Sequence, residues 1–236
     1  MLLEGQVILT MGKMKQLVLF IVEGITDKVA LEGVLSCMFD TSKTAIKITR
    51  GDITYDTSIS AADIIGQVCQ HINSFCETEH YSFENIEKII HIIDTDGAFI
   101  DEKHVKSGEN KKVKYFDDHI EIENVDYIIN RNKHKAMLVR KLIGTKKIKD
   151  IPYQILFFSR NMEHLLHNEP NDLNDEQKME LANEFADLYT ENKEAFTTFI
   201  NDKTFAVLGN YRETWNFIYE DTNSLKRFSN FHLAFE

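Results

Sequence analysis

With 236 residues, 43% of them hydrophobic and 11% aromatic, the chain carries enough apolar side chain to bury one good core, as a single domain or a domain with a substantial appendage. Its 27 basic and 38 acidic residues leave a net charge of −11. That excludes a constitutive basic coat for nucleic acid, but not an enzyme whose carboxylates hold divalent cations. Sparse glycine and proline and the lack of low-complexity tracts or solenoid-length repeats exclude disordered, collagen-like and array architectures, and no run reaches the ~20 apolar residues of a membrane span.

The opening MLLEGQVILT is broken by Glu4 and has no basic region before it, so no leader is expected, and Met11 and Met14 offer alternative starts. Leu17–Val22 reads as a buried strand that empties into Glu23, Gly24 and Asp27. A helix follows over Asp27–Phe39, with Ala30, Val34, Leu35 and Met38 on one face and Thr26 or Asp27 as its cap. Ala45–Thr49 is a second strand and Ser58–Phe75 a second helix, with Ile65, Val68, Cys69, Ile72 and Phe75 at helical spacing. Ile89–Ile93 is a third strand, ending in Asp94, Thr95 and Asp96, and His91 within it reads as a satisfied core residue. A basic insertion over about 103–150, helical from about His119 to Ile143, leads to a fourth strand at Gln154–Phe158. From charge alone its Lys and Arg side chains read as a solvated face. The last third reads as mostly helical: Asn174 and Gln177 form a capping box for a helix carrying Met179, Ala182, Phe185 and Leu188, and Tyr211–Tyr219 packs around Trp215. The three cysteines, Cys37, Cys69 and Cys76, fall in helical segments and read as reduced thiols of a cytoplasmic protein.

This β-α-β-α-β order implies an α/β fold, a parallel sheet of about four strands with right-handed crossovers and helices on both faces. The expected division is an α/β domain over 14–168 and a helical region over 169–236. Ligands of such sheets gather beyond the carboxyl ends of the strands. If the first and third strands are neighbours, Glu23, Asp94 and Asp96 meet there, and such a cluster needs a cation or protons to neutralise it. Oxygen-only donors favour Mg²⁺ or Mn²⁺ over zinc. Each piece alone has a bland use, Asp27 as a helix cap and the D-x-D as a solvated turn. The histidines of EHLLH, His164 and His167, lack a zinc-enzyme spacing.

A hydrophobic strand ending in EGxxD (Glu23, Gly24, Asp27), a second βα unit and a strand ending in DxD (Asp94, Thr95, Asp96), about seventy residues apart, resemble the Toprim domain of topoisomerases, bacterial primases, overcoming-lysogenization-defect (OLD) nucleases and the 5S ribosomal RNA maturase. The resemblance covers about 17–100, with a fourth strand at Gln154–Phe158. It implies a catalytic Glu23, metal-ligating Asp94 and Asp96 with Asp27 beside them, and Mg²⁺- or Mn²⁺-dependent hydrolysis of DNA or RNA. Topoisomerase tyrosine context, primase zinc module and ATPase P-loop are all missing from the chain. What the resemblance implies is therefore a stand-alone Toprim protein like the RNA maturase or small OLD-type phage-defence nucleases, with a partner ATPase and a homo-oligomer left open. By the same resemblance Glu163 joins the site and Arg160 reaches a phosphate; otherwise both lie on the outer face of a helix.

Two other functions compete. IIDTDG also resembles the nucleophile strand of haloacid-dehalogenase-like phosphatases, with Asp94 as nucleophile and Ser159 as second motif, although a late acidic pair is missing and EGITD goes unexplained. The other is a non-catalytic module that binds nucleic acid or a partner without cutting it.

Overall fold

The computed structural model describes residues 17–39, 44–48, 52–169 and 173–236. The expectations for the opening segment, Met11, Met14, the domain start at residue 14 and Thr49 lie outside the described residues.

The chain is an α/β protein. β1 (Leu17–Val22), α1 (Ile25–Phe39), β2 (Thr44–Ile48), α2 (Ile64–Glu79) and β3 (Ile86–Asp94) follow one another as the apolar runs predict. Next come β4 (Val105–Ser107), β5 (Lys114–Tyr115), β6 (Ile120–Ile122), α3 (Val125–Ile143), β7 (Lys147–Ile148) and β8 (Ile151–Phe158). The chain closes with α4 (Met162–His167), α5 (Asp175–Tyr189), α6 (Lys193–Ile200) and α7 (Tyr211–Ile218). The main sheet has the order β2-β1-β3-β8-β7. Its first four strands are parallel, and β7 is an antiparallel edge strand joined to β8 through a two-residue turn. Lys149 and Asp150 in that turn both have positive φ, as tight hairpins require.

Side chains alternating across the strands feed two cores, one per face. Leu19, Ile21, Ile89, Ile93, Ile155 and Phe157 pack under α2, α3 and α7, with Trp215 buried among them. Phe20, Val22, Ile90, Ile92, Leu156 and Phe158 pack under α1, α4, α5 and α6. Residues beyond 169 therefore supply both cores: α5 and α6 lie against α1, and Ser229 bridges to Phe158 and Ala206. No helix among the described residues is long and apolar enough to cross a membrane.

Several local expectations are corrected. The second helix starts at Ile64, six residues late, because Asp56 and Ser60 fold 52–63 into turns closed by their own side chains. The segment from His119 to Asn124 is not helical: β6 pairs with β4 and β5 in a small sheet whose own core holds Ile100, Val105, Ile120, Ile122 and Ile128. Strands of two or three residues are too short to show a period. The capping box of Asn174 and Gln177 forms as read, and Ala182 and Phe185 are buried, but Leu188 is 62% exposed. His91 is buried, with Nδ1 2.8 Å from the Tyr153 hydroxyl, while its Nε2 has no hydrogen-bond partner among the described residues.

Candidate metal centre

β1 and β3 are direct neighbours, so Glu23 and Asp94 leave the sheet side by side. The Asp94 N–H donates to Glu23 Oε1 at 3.3 Å. Burial pushes both carboxyls well above the usual carboxylate range. Asp52 adds to the effect on Glu23, and Glu23, Asp27, Asp96 and Glu163 add to that on Asp94.

Asp27 lies in the first turn of α1, where its Oδ2 accepts the Gly24 N–H at 2.9 Å. Because α1 starts at Ile25, two residues earlier than expected, Asp27 is not the N-cap; from the first turn it reaches back to the Gly24 N–H, and it stays close enough to Glu23 to repel it. Burial raises its carboxyl to about 6, against the lowering effect of that hydrogen bond. Gly24 itself is not demanded by space: a Cβ there would meet its nearest atom, Thr26 Oγ1, at 3.7 Å.

The D-T-D-G loop is fixed on every side. Thr95 N–H donates to Phe158 O and Asp96 N–H to Arg160 O, each at 2.9 Å, extending the β3–β8 pairing past the strand ends. The Thr95 hydroxyl accepts the Arg160 N–H and donates to Ser224 O. Asp96 and Gly97 both have positive φ, and the turn closes with Ala98 N–H on Thr95 O at 2.8 Å. Here glycine is required, because a Cβ on Gly97 would run into Leu225.

That turn places Asp96 against Lys135. Its Oδ2 accepts from Lys135 Nζ at 2.6 Å, and the same ammonium binds Asp52 Oδ2. The Lys135 side chain is 0% exposed. Burial opposes its charge, but Asp96, Asp52 and Glu23 outweigh burial and hold the ammonium well above its ordinary pKa. Burial likewise works on Asp52, and Lys135 with two Thr54 hydrogen bonds reverses it, leaving that carboxyl below its ordinary value. Arg131, also buried, donates to Asp96 O at 2.8 Å and to the Tyr115 hydroxyl at 3.2 Å. Neither Lys135 nor Arg131 belongs to a solvated helix face. Both sit in the buried phase of α3, with Ile128, Asn132, Ala136, Val139 and Leu142.

Arg160 and Glu163 are not on an outer helix face either. Arg160 precedes α4 with φ 65°, is buried, lies over the Tyr115 ring at 5.0 Å and donates to Tyr115 O. Glu163 is buried in the first turn of α4, pairs with Lys178 at 3.2 Å and adds its charge to the field on Asp27 and Asp94. Ser159 is buried and its hydroxyl donates to Asn223 O, which removes the phosphatase reading's second motif from the site.

Oxygen donors of this kind fit the chemistry of Mg²⁺ or Mn²⁺. Among the described residues no three carboxylate, histidine or cysteine groups converge as a ligand set, with Lys135 on Asp96 and Gly24 on Asp27. Two members of the cluster were missed from sequence. Asp52 follows β2 after a stretch without pattern. Lys135 had a legible signal, a polar residue in phase with an apolar helical stripe.

No family model matches the chain, and neither a curated protein nor a solved structure matches it significantly.

Proposed function

We propose that this protein is an OLD-like, Toprim-type nuclease that hydrolyses phosphodiester bonds of DNA or RNA with Mg²⁺ or Mn²⁺. The observation that carries the reading is the placement of acidic residues at three adjacent strand ends, Glu23 after β1, Asp52 after β2 and Asp94 with Asp96 at the end of β3, where burial and neighbouring carboxylates raise Glu23 and Asp94. Glu23, Asp94 and Asp96 are the residues that would hold the cation, with Asp27 and Glu163 shaping the field around them. When bound, the ion polarises the phosphoryl group and lowers the pKa of a coordinated water. Glu23, its carboxyl raised by burial and by Asp52, would be the residue to take a proton from that water. Among the described residues Lys135 is the one buried ammonium beside these carboxylates, and it offers compensating charge as a phosphate enters.

The test is cleavage of single-stranded DNA, duplex DNA and structured RNA by the full chain with Mn²⁺ or Mg²⁺. Glu23→Gln is expected to lower the rate at least ~100-fold with unchanged circular dichroism. Failure to cut any of the three contradicts the reading.

A second reading has its own support. Lys135 already neutralises Asp52 and Asp96, so the fold can rest without a metal, as a nucleic-acid or partner-binding module of the same type. It predicts binding without cleavage.

A further inference from the structure

Next to the carboxylates lies an open groove of about 670 Å³, walled by the β5 segment, the loop after β2 and the start of α3. Its lining holds Lys111, Lys112 and Lys114 and no carboxylate, in a chain whose net charge is −11. Three exposed rings share that lining: Tyr55 (40%), Phe116 (40%) and Tyr127 (47%). Exposed rings gathered in one patch, rather than scattered singly, mark a contact surface. The rings are also held in place. Phe116 stacks on His119 at 4.4 Å and 5°, and the Tyr55 and Tyr127 hydroxyls hydrogen-bond each other across the groove wall.

The groove is joined to the acidic cluster through its own residues. Tyr115 in the lining takes a hydrogen bond from Arg131, which also holds the Asp96 carbonyl. Tyr55 is three residues past Asp52 and donates its N–H to the Asp52 carbonyl at 3.1 Å. Asn161 in the lining directly follows Arg160.

We propose that this groove seats a single strand of nucleic acid, with phosphates on Lys111, Lys112 and Lys114 and unpaired bases on Phe116, Tyr55 and Tyr127, and leads it to the Asp96 loop. Fixed rings beside a short basic run match a strand whose bases are free to stack, whereas a duplex hides all but its terminal base faces. Pre-set rings also lower the ordering cost of binding. The proposal rests on the nuclease reading for its direction, since the strand is led to the carboxylates, and it names the substrate class that reading leaves open.

The test is fluorescence anisotropy of the full chain with labelled oligo-dT and oligo-rU twelve-mers and a duplex of the same length, in EDTA so that nothing is cut. The single strands are expected to bind about ten-fold tighter than the duplex. Exchanging Lys111, Lys112 and Lys114 for alanine should weaken binding about ten-fold and reduce the slope of log affinity against log salt by roughly 2, at ~0.7 per single-strand phosphate contact. Phe116→Ala should weaken it about ten-fold with the slope unchanged, and Phe116→Leu, which keeps the bulk and loses the ring, should behave alike. Equal or tighter duplex binding, or affinity that neither set of changes moves, overturns the proposal. Single-strand binding with these signatures but no metal-dependent cleavage refutes the nuclease reading and leaves the groove standing. Duplex cleavage by the lysine variant at the wild-type rate does the reverse.

Discussion

Replacing Lys135 by methionine keeps the length of a fully buried side chain and deletes its charge. Two carboxylates lose their counter-ion: Asp96, 2.6 Å from Nζ, and Asp52, hydrogen-bonded to the same atom. At an effective dielectric of about 20 each contact is worth about 6 kcal/mol of attraction, most of it offset by desolvation. Removing one partner of such a buried set typically costs about 3–5 kcal/mol. In a chain of this size that lowers the Tm by roughly 6–20 °C. Asp52 sits below its ordinary 3.8, so its contribution is present above that pH and lost as pH falls through the native value. Lys135 sits above its ordinary 10.5, so its contribution is full below that pH and fades above it. The difference between wild type and variant should therefore fade above roughly pH 10, and should also shrink toward acid pH as Asp52, buried without its counter-ion in the variant, takes up a proton. Mn²⁺ at a hundred times its Kd should restore about 2.7 kcal/mol in the variant by binding only the folded chain. The assay is thermal and urea unfolding in EDTA, then with Mn²⁺. A variant within about 2 °C of wild type, the ~0.5 kcal/mol of an ordinary surface change, would refute the role of Lys135 as the cluster's counter-ion.

Asp27→Asn keeps the acceptor for the Gly24 N–H and removes a repelling charge. A carboxyl raised from 3.8 to about 6 holds its proton more tightly in the folded state, so stability falls as pH rises between those values. Full linkage is about 3 kcal/mol, and partial exposure reduces it to roughly 1–2. The variant should gain that much at pH 8 and almost nothing at pH 4 by urea unfolding, and an equal gain at both pH values counts against the electrostatic account. Gly97→Ala places a Cβ against Leu225 at a positive φ and should cost about 2–4 kcal/mol, whereas Gly24→Ala should cost less than about 1. Equal losses at the two glycines in thermal unfolding would contradict the turn geometry.

The parallel strands were legible because Leu17–Val22, Ile89–Ile93 and Gln154–Phe158 are largely buried on both faces and read as near-continuous apolar runs within the longer observed strands. Their order was not legible, since crossover handedness does not say which strands pair; the β1–β3 pairing is what brings Glu23 beside Asp94. What escaped was set by single side chains and very short elements. β7 and the small sheet are too brief to show a period. The direction of Asp96 depends on a turn with two positive φ angles, which no residue pattern specifies and which sets it on Lys135. The basic insertion was read as one solvated face because its charges were taken together. In the structure it divides in two, with Arg131 and Lys135 in the buried phase of α3 and Lys111, Lys112 and Lys114 exposed along the groove. Arg160 and Glu163 lay in a segment where a buried and an exposed helix face look alike, and the partners that bury them, Tyr115 and Lys178, are distant in sequence.

The central claim, that these carboxylates form a metal-dependent nuclease centre, is tested most directly by anomalous diffraction from crystals of the protein grown with Mn²⁺. The account predicts an anomalous peak bridging Glu23 and Asp94, with Asp96 turned from Lys135 to join it. Crystals saturated with Mn²⁺ that show no peak there, and Asp96 still bound to Lys135, would contradict it.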